Sequence, residues 1–221
     1  VTRALPDEMV ARVQELGAAI LLVDDAQGAI TDLARAWRGR LCGRVVGLTG
    51  SNGKTTTKNL VRDVLACAGS VTATRGNQNN ELGVPNTLLA ADADTRNVVV
   101  EMGMRGLRQI ESLCSFVRPE WGIVTQVGES HIELLGSREN IARAKSELIA
   151  ALPEGGIAFL NGADDMSDFV WECARGAERG VSAVCFDGSG NYCEDAACGW
   201  RAGRAVWATH ISLDDAGRAS F

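Results

Sequence analysis

No C-x-x-C pair occurs among the seven cysteines, at positions 42, 67, 114, 173, 185, 193 and 198, and histidine is limited to His131 and His210. A structural zinc site needs several such ligands at short spacings, so none is expected. An odd cysteine count without a signal peptide reads as reduced thiols in a cytoplasmic protein. Long apolar runs are also missing; the longest are strand-length, which excludes a transmembrane helix. Basic residues are not in excess. Lys and Arg number 22 against 28 Asp and Glu, a net charge of −6, and the arginines are scattered. That excludes a nucleic-acid footprint, and no membrane partner is expected. A polyanionic substrate would need a local positive site. Neither D-x-x-G nor N-K-x-D follows Lys54, which removes the marks of a GTP switch. There is no internal repeat and no low-complexity segment.

What is present is an ordinary globular composition, 46% hydrophobic and 23% charged, over 221 residues. That suits one sizeable domain, or one domain with part of a second. The most informative stretch runs from Val45 to Lys58. Val45 to Leu48 reads as a buried parallel strand. A glycine turn follows, and then a helix on which Leu60, Val61, Val64 and Leu65 mark one face. Strand, glycine loop, Lys-Thr and helix make a phosphate cradle. Gly50 and Gly53 let successive N–H groups converge on one anion, and the helix start adds its own donors. Lys54 would neutralise phosphates, and the Thr55 hydroxyl can ligate Mg²⁺. The strict G-x-x-x-x-G-K-[ST] pattern fails at Leu48, leaving the tighter T-G-S-N-G-K-T-T. The plainer alternative is a strand-turn-helix with a capping Asn and a surface Lys.

Along the chain, helical spacing predicts helices over 6–16 and 29–37, with an apolar strand over 18–23 between them. Asp24-Asp25 is either a metal pair or a solvated turn. Residues 38–44 read as a linker. Strands are expected over 71–74, 97–102, 121–127, 156–160 and 183–186. Helices are expected around 85–89, 107–116, 137–151 and 168–174. Such alternation predicts an α/β fold, a mostly parallel sheet flanked by helices. Residues 205–211 alternate enough to suggest an antiparallel edge strand.

Ligands of open α/β sheets bind beyond the carboxyl ends of the strands. Lys54, Thr55, Glu101, His131, Asn161 and Asp164 all follow strands. Glu101 ends a buried strand, where a carboxylate is costly unless paired or metal-bound. It is a Mg²⁺ ligand, a helix cap, or a partner of Arg105. His131 is either a hydrogen-bonded structural residue or a ligand of a second Mg²⁺. Lys145, taken alone, reads as a surface lysine paired with a nearby Glu.

The ordered set T-G-S-N-G-K-T-T, N-Q-N-N-E-L-G-V-P-N-T-L-L, V-V-E-M-G, V-G-E-S-H-I-E-L-L-G and L-N-G-A-D-D resembles the Mur ligases of peptidoglycan synthesis. It covers residues 45–165 densely and 1–44 loosely. The amide-rich loop with G-V-P-N-T-L-L resembles the member that adds D-Ala-D-Ala to UDP-MurNAc-tripeptide. Ligases that add single amino acids, and folylpolyglutamate synthetases, share the glycine loop but not the amide-rich one. The resemblance implies an ATP-dependent amide ligase of cell-wall biogenesis, monomeric and acting through an acyl phosphate. It implies that Gly50, Ser51, Asn52, Gly53, Lys54, Thr55 and Thr56 hold ATP phosphates, with Asn161 and Asp164 on the adenosine side. Thr55 and Glu101 would hold one Mg²⁺. His131 and Lys145, the latter carbamylated, would hold a second, and Lys54, His131 and Lys145 are the implied catalytic set. Asn77, Asn79 and Asn80 would face UDP-MurNAc-tripeptide.

Two departures stand out. Gln126 replaces the family's usual Asn, and no H-N-x-x-N segment occurs, since both histidines are followed by Ile. The resemblance makes 1–40 the end of a UDP-MurNAc-binding domain and 41–221 a truncated ATP-binding central domain. The carboxy-terminal ligase domain is then absent, and the fragment alone is expected to be inactive.

Overall fold

A computed structural model of the protein describes residues 6–191, 199–210, 212–213 and 219–220. Its frame is β1 (Arg44–Thr49), buried at every residue after Arg44. Around it pack β2 (Val71–Ala73), β3 (Asn97–Glu101), β4 (Trp121–Val124), β5 (Ile157–Asn161), β6 (Ser182–Asp187) and β7 (Arg204–Trp207). The order is β2-β3-β1-β4-β5-β6-β7, and every neighbouring pair is parallel. Val46 pairs with Val99 on one side and Trp121 on the other, so β1 is the point where the chain changes direction across the sheet. Crevices open at such points, beyond the strand carboxyl ends. A separate antiparallel pair joins β8 (Ser212–Leu213) and β9 (Ala219–Ser220).

One sheet face carries most of the core. There α4 (Gly83–Leu89), α5 (Gln109–Val117), α7 (Arg138–Ala150) and α8 (Ser167–Ala174) bury Leu88, Ile110, Phe116, Ile141, Leu148 and Val170. Ser137 caps α7 by accepting from the Asn140 N–H, as its sequence position predicts. On the other face, α3 (Lys54–Ala66) covers Val46, Leu48 and Ile123 with Val61 and Leu65. Leu60 and Val64 point to solvent, being 62% and 70% exposed. The predicted apolar face of α3 is therefore half right. The inward stripe runs Lys58, Val61, Leu65, and the lysine is buried in it.

Other expectations need correction. Residues 18–23 form no strand; Leu21 and Leu22 are exposed, and no described strand offers them a ladder. An apolar run becomes a strand only where a partner takes its N–H groups. The strand predicted over 121–127 ends at Val124, because the Thr125 hydroxyl turns to Asn52 O and the Val127 N–H turns to Asp164. β7 lies at the edge but is parallel to β6, with residues 188–203 giving the length a crossover requires. Ile211, at the end of that predicted strand, lies outside the described residues. A short helix, α6 (Ile132–Leu135), was not anticipated.

The first forty residues contribute α1 (Asp7–Glu15) and α2 (Ala26–Arg38). Asp25 is the N-cap of α2, accepting from the Gln27 N–H, and Asp24 is exposed in the turn before it. α2 docks on α4 and α5. Ala34 is buried there, and the Trp37 indole donates to Ala91 O at 2.8 Å. Arg38, expected to open a linker, closes α2 and is buried. Its guanidinium donates to Val117 O, Arg118 O and Glu120, whose second oxygen accepts from the Val45 N–H. Removing such a cation leaves two carbonyl oxygens and a carboxylate short of a partner. Arg38→Ala should therefore lower the unfolding free energy by about 2–4 kcal/mol. Urea denaturation measures this, and a loss below about 0.5 kcal/mol would show that water replaces the guanidinium.

Candidate active site

The loop after β1 is pressed against the end of β4. A side chain at Gly50 would place its Cβ 1.9 Å from Thr125 Oγ1, so only glycine allows the approach. Ser51 N–H donates to Gln126 O at 2.8 Å, and Thr125 Oγ1 donates to Asn52 O at 2.6 Å. The Gln126 side chain is exposed and only its backbone is used, so the departure at this position leaves the contact intact. Gly53, at φ 79°, turns the chain into α3. Thr57 N–H closes the first helical bond onto Gly53 O, so the N–H groups of residues 54–56 have no intrahelical acceptor. The hydroxyls of Thr49 and Ser51 are buried without a partner. Orphaned donors around a glycine turn suit a phosphate chain. Lys54 Nζ folds back to Gly50 O (2.7 Å) and Ser51 O (3.2 Å). Burial lowers its pKa, against the pull of Glu101.

Glu101, at the end of β3, is 1% exposed. Its carboxylate accepts from Thr55 Oγ1 (3.2 Å) and Asn79 Nδ2 (2.9 Å). Its ion pair is with Lys58, at 3.5 Å, rather than with Arg105. Its backbone N–H donates to Thr74 Oγ1. A threonine hydroxyl and a carboxylate thus meet at the mouth of the anion loop. Among the described residues no group of three or more His, Cys, Asp or Glu forms. A hard cation here would draw its remaining ligands from phosphate and water, the usual habit of Mg²⁺.

The anion loop and Asn79 open onto a cavity of about 850 Å³. It brings together Gly50, Ser51 and Lys54 with Asn77, Asn79 and Asn80, and with His131 and Lys145. Asn79 is fixed between Glu101 and the Gly103 N–H, and a Cβ at Gly103 would lie 2.6 Å from its Oδ1. Asn80 accepts from the Gly83 N–H and so starts α4. Asn77 is exposed. His131 sits at φ 68°, the N-cap of α6.

Lys145 is not the surface lysine that unaided reading suggests. It is 3% exposed, and no described carboxylate forms an ion pair with it. Glu147, the nearby acid, instead accepts from the Arg108 and Glu111 N–H groups at the start of α5. Burial, reinforced by the charge of Lys54, pushes the Lys145 amine down to about 7. Asn161 and Asp164 do not join this cavity. Asn161 donates to Thr125 O and accepts from the Ala163 N–H; Asp164 accepts from the Val127 and Met166 N–H groups. They fix the loops after β4 and β5. Lys58, Thr74 and Thr125 were missed. The helical stripe could have revealed Lys58, but nothing in the sequence marks the two threonines.

The model of the Mur ligase middle domain matches residues 48–198. The chain belongs to the Mur ligase family. It is 43% identical over 155 residues to the UDP-N-acetylmuramoyl-tripeptide–D-alanyl-D-alanine ligase of Bacillus subtilis (strain 168), covering 70% of this chain and 34% of that protein. MurF from Acinetobacter baumannii superimposes with a TM-score of 0.76 at 30% identity, over 93% of this chain and 45% of that one. MurF ligase from Thermotoga maritima, solved in complex with ADP, gives 0.66 at 33% identity, over 77% and 39%. This Mur ligase chain spans about a third of the length of the curated relatives it matches.

The lowered Lys145 pKa has a consequence for stability. Below about pH 7 the folded protein bears the full cost of holding the cation. Between that value and the ordinary 10.5 the folded amine is neutral while the unfolded one is still protonated, so the cost falls as pH rises. Lys145→Met should therefore stabilise the chain at neutral pH in CO₂-free buffer. The gain should shrink by about 1.4 kcal/mol per pH unit as pH rises. A gain that does not change between neutral pH and about pH 10 would show an ordinary amine.

Proposed function

We propose that the protein carrying this chain is an ATP-dependent ligase that joins D-Ala-D-Ala to the terminal carboxylate of UDP-MurNAc-tripeptide. The observation that carries this reading is the anion loop itself: Gly50, Ser51 and Lys54 share one cavity with Lys145 and the amide-rich loop, and Thr55 meets Glu101 beside that loop. Relatives whose names state this reaction match 67–70% of the chain at 43–46% identity. ATP and its substrates are intracellular, so we place the reaction in the cytoplasm.

In this reading Gly50, Ser51, Asn52, Gly53, Lys54, Thr55 and Thr56 cradle the ATP phosphates. Thr55 and Glu101 hold Mg²⁺, which supplies charge neutralisation to the phosphate oxygens. Lys54 leaves Gly50 O and Ser51 O to meet the transferring phosphoryl group. The γ-phosphoryl passes to the substrate carboxylate, giving an acyl phosphate and ADP. The D-Ala-D-Ala amine attacks that carbonyl carbon, loses its proton, and phosphate departs as the amide forms. Asn77, Asn79 and Asn80 face the nucleotide-peptide, while Asn161 and Asp164 shape the adenosine side.

Lys145, with a lowered pKa, carries a free amine at neutral pH that can add CO₂. The resulting carbamate turns a cation into an oxygen donor beside His131, and the pair would hold a second Mg²⁺. We infer that residues 1–40 close a preceding UDP-MurNAc-binding domain, and that ligation needs parts of the protein beyond this chain.

The whole protein, given MgATP and UDP-MurNAc-tripeptide, should ligate D-Ala-D-Ala at least about 100-fold faster than any single amino acid. Preference for a single amino acid would assign a different ligase. The 221-residue chain by itself should give no pentapeptide product, and steady product from it would overturn the inference on the missing parts. ¹³C-bicarbonate should give the protein a carbamate carbonyl signal that Lys145→Ala abolishes; a signal that survives the substitution would place the carbamate elsewhere.

A further inference from the structure

Lys58 has no part in the reaction as described, yet it is among the least exposed side chains of the protein, at 2%. It lies one turn beyond Thr55 on α3, facing the sheet. Its Nζ donates to Gly76 O at 2.7 Å and lies 3.5 Å from Glu101 Oε2. These two contacts belong to different parts of the site. Gly76 opens the amide-rich loop, and Glu101 is the buried carboxylate.

The loop is unevenly anchored. Its far end is fixed by Asn79 on Glu101 and by Asn80 at the start of α4. Its near end, residues 75–78, is exposed, and a Cβ at Gly76 would touch nothing within 4 Å. Inside this end, the Gln78 N–H bonds Arg75 O. Among the described residues, the Lys58 ammonium is the group that reaches 75–78 by a hydrogen bond from outside the loop. One carboxylate therefore holds both ends, through Asn79 on Oε1 and through Lys58 on Oε2.

We propose that Lys58 is a positioning residue that couples the amide-rich loop to the carboxylate of Glu101. The coupling sets where Asn77 stands when the nucleotide-peptide arrives. This deepens the ligase reading and rests on it for the substrate, but not for the tether.

The tether is tested on the chain itself, without ligand, by cleavage with an arginine-specific protease. In Lys58→Met the cut after Arg75 should become about tenfold faster, while the cut after Arg175 should keep its rate. Lys58→Gln retains a donor for Gly76 O and loses the charge toward Glu101, so it should fall between the two; it also serves if the methionine variant fails to fold. Cleavage after Arg75 within about twofold of wild type in the folded variants overturns the proposal. Equal acceleration at Arg75 and Arg175 overturns it as well, because that is general loosening. In the whole protein, Lys58→Met should raise KM for UDP-MurNAc-tripeptide about tenfold and KM for MgATP less than about threefold. The reverse split overturns the coupling to the loop. Wild-type protein that does not ligate would refute the ligase reading and leave the proteolysis result standing.

Discussion

A carboxylate that is 1% exposed at the end of a central strand is the constraint to which the rest of this site answers. Taking Glu101 out of water costs several kcal/mol unless charge and hydrogen bonds replace the solvent. The partners come from three segments. α3 supplies Lys58 and Thr55, the amide-rich loop supplies Asn79, and Thr74 accepts the residue's own N–H. α3 belongs to the crossover after β1, while Thr74 and the amide-rich loop both belong to the one after β2. The strand order β2-β3-β1 is what makes their convergence possible, because it sets the ends of β2 and β1 on either side of Glu101. Disturbing α3 or the loop leaves the buried carboxylate short of a donor, and disturbing Thr74 leaves the Glu101 N–H short of an acceptor.

Two buried lysines show how the same residue type acquires opposite chemistry. Lys58 and Lys145 are 2% and 3% exposed. Lys58 has a carboxylate at 3.5 Å and a carbonyl at 2.7 Å, so its charge is compensated and it serves as a fixed cation. Among the described residues Lys145 has no such carboxylate, and burial, reinforced by the like charge of Lys54, lowers its pKa. A lysine of the first kind can hold a loop. One of the second kind can act as a nucleophile toward CO₂. Burial is common to both, and the partner decides the outcome.

The sequence-based expectations succeeded where chemistry is local and failed where it depends on neighbours. Strand, glycine loop and helix at Val45–Lys58 were legible because the steric need for Gly50 and Gly53 is written in the residues themselves. The Ser137 cap and the buried run ending in Glu101 were legible for the same reason. The environment of Lys145 was not, since nothing in R-A-K-S-E-L says that Glu147 turns away to hold the start of α5. The strand expected over 18–23 failed for want of a partner, and β7 was given the wrong direction because alternation does not encode direction. Lys58 escaped notice because periodicity was read from apolar residues alone, which gave the outward Leu60 and Val64 equal weight with Val61 and Leu65.

The site as described is open. Thr55, Thr56 and Asn77 are exposed, and the cavity of about 850 Å³ meets solvent along the loop edge. Under the ligase reading proposed above, an acyl phosphate formed in such a place would be open to water as well as to the amine. Phosphoryl transfer also draws most of its acceleration from preorganised charge, which water weakens. The residues gathered here are suited to bind and orient phosphates, and less suited to exclude solvent from the carbonyl that follows. Binding and exclusion are therefore separable tasks in this architecture. In the proposed reading the sheet edge performs the first, through the anion loop and Lys54. The second needs a surface laid across the mouth of the cavity, against the loops that carry Asn77 and His131.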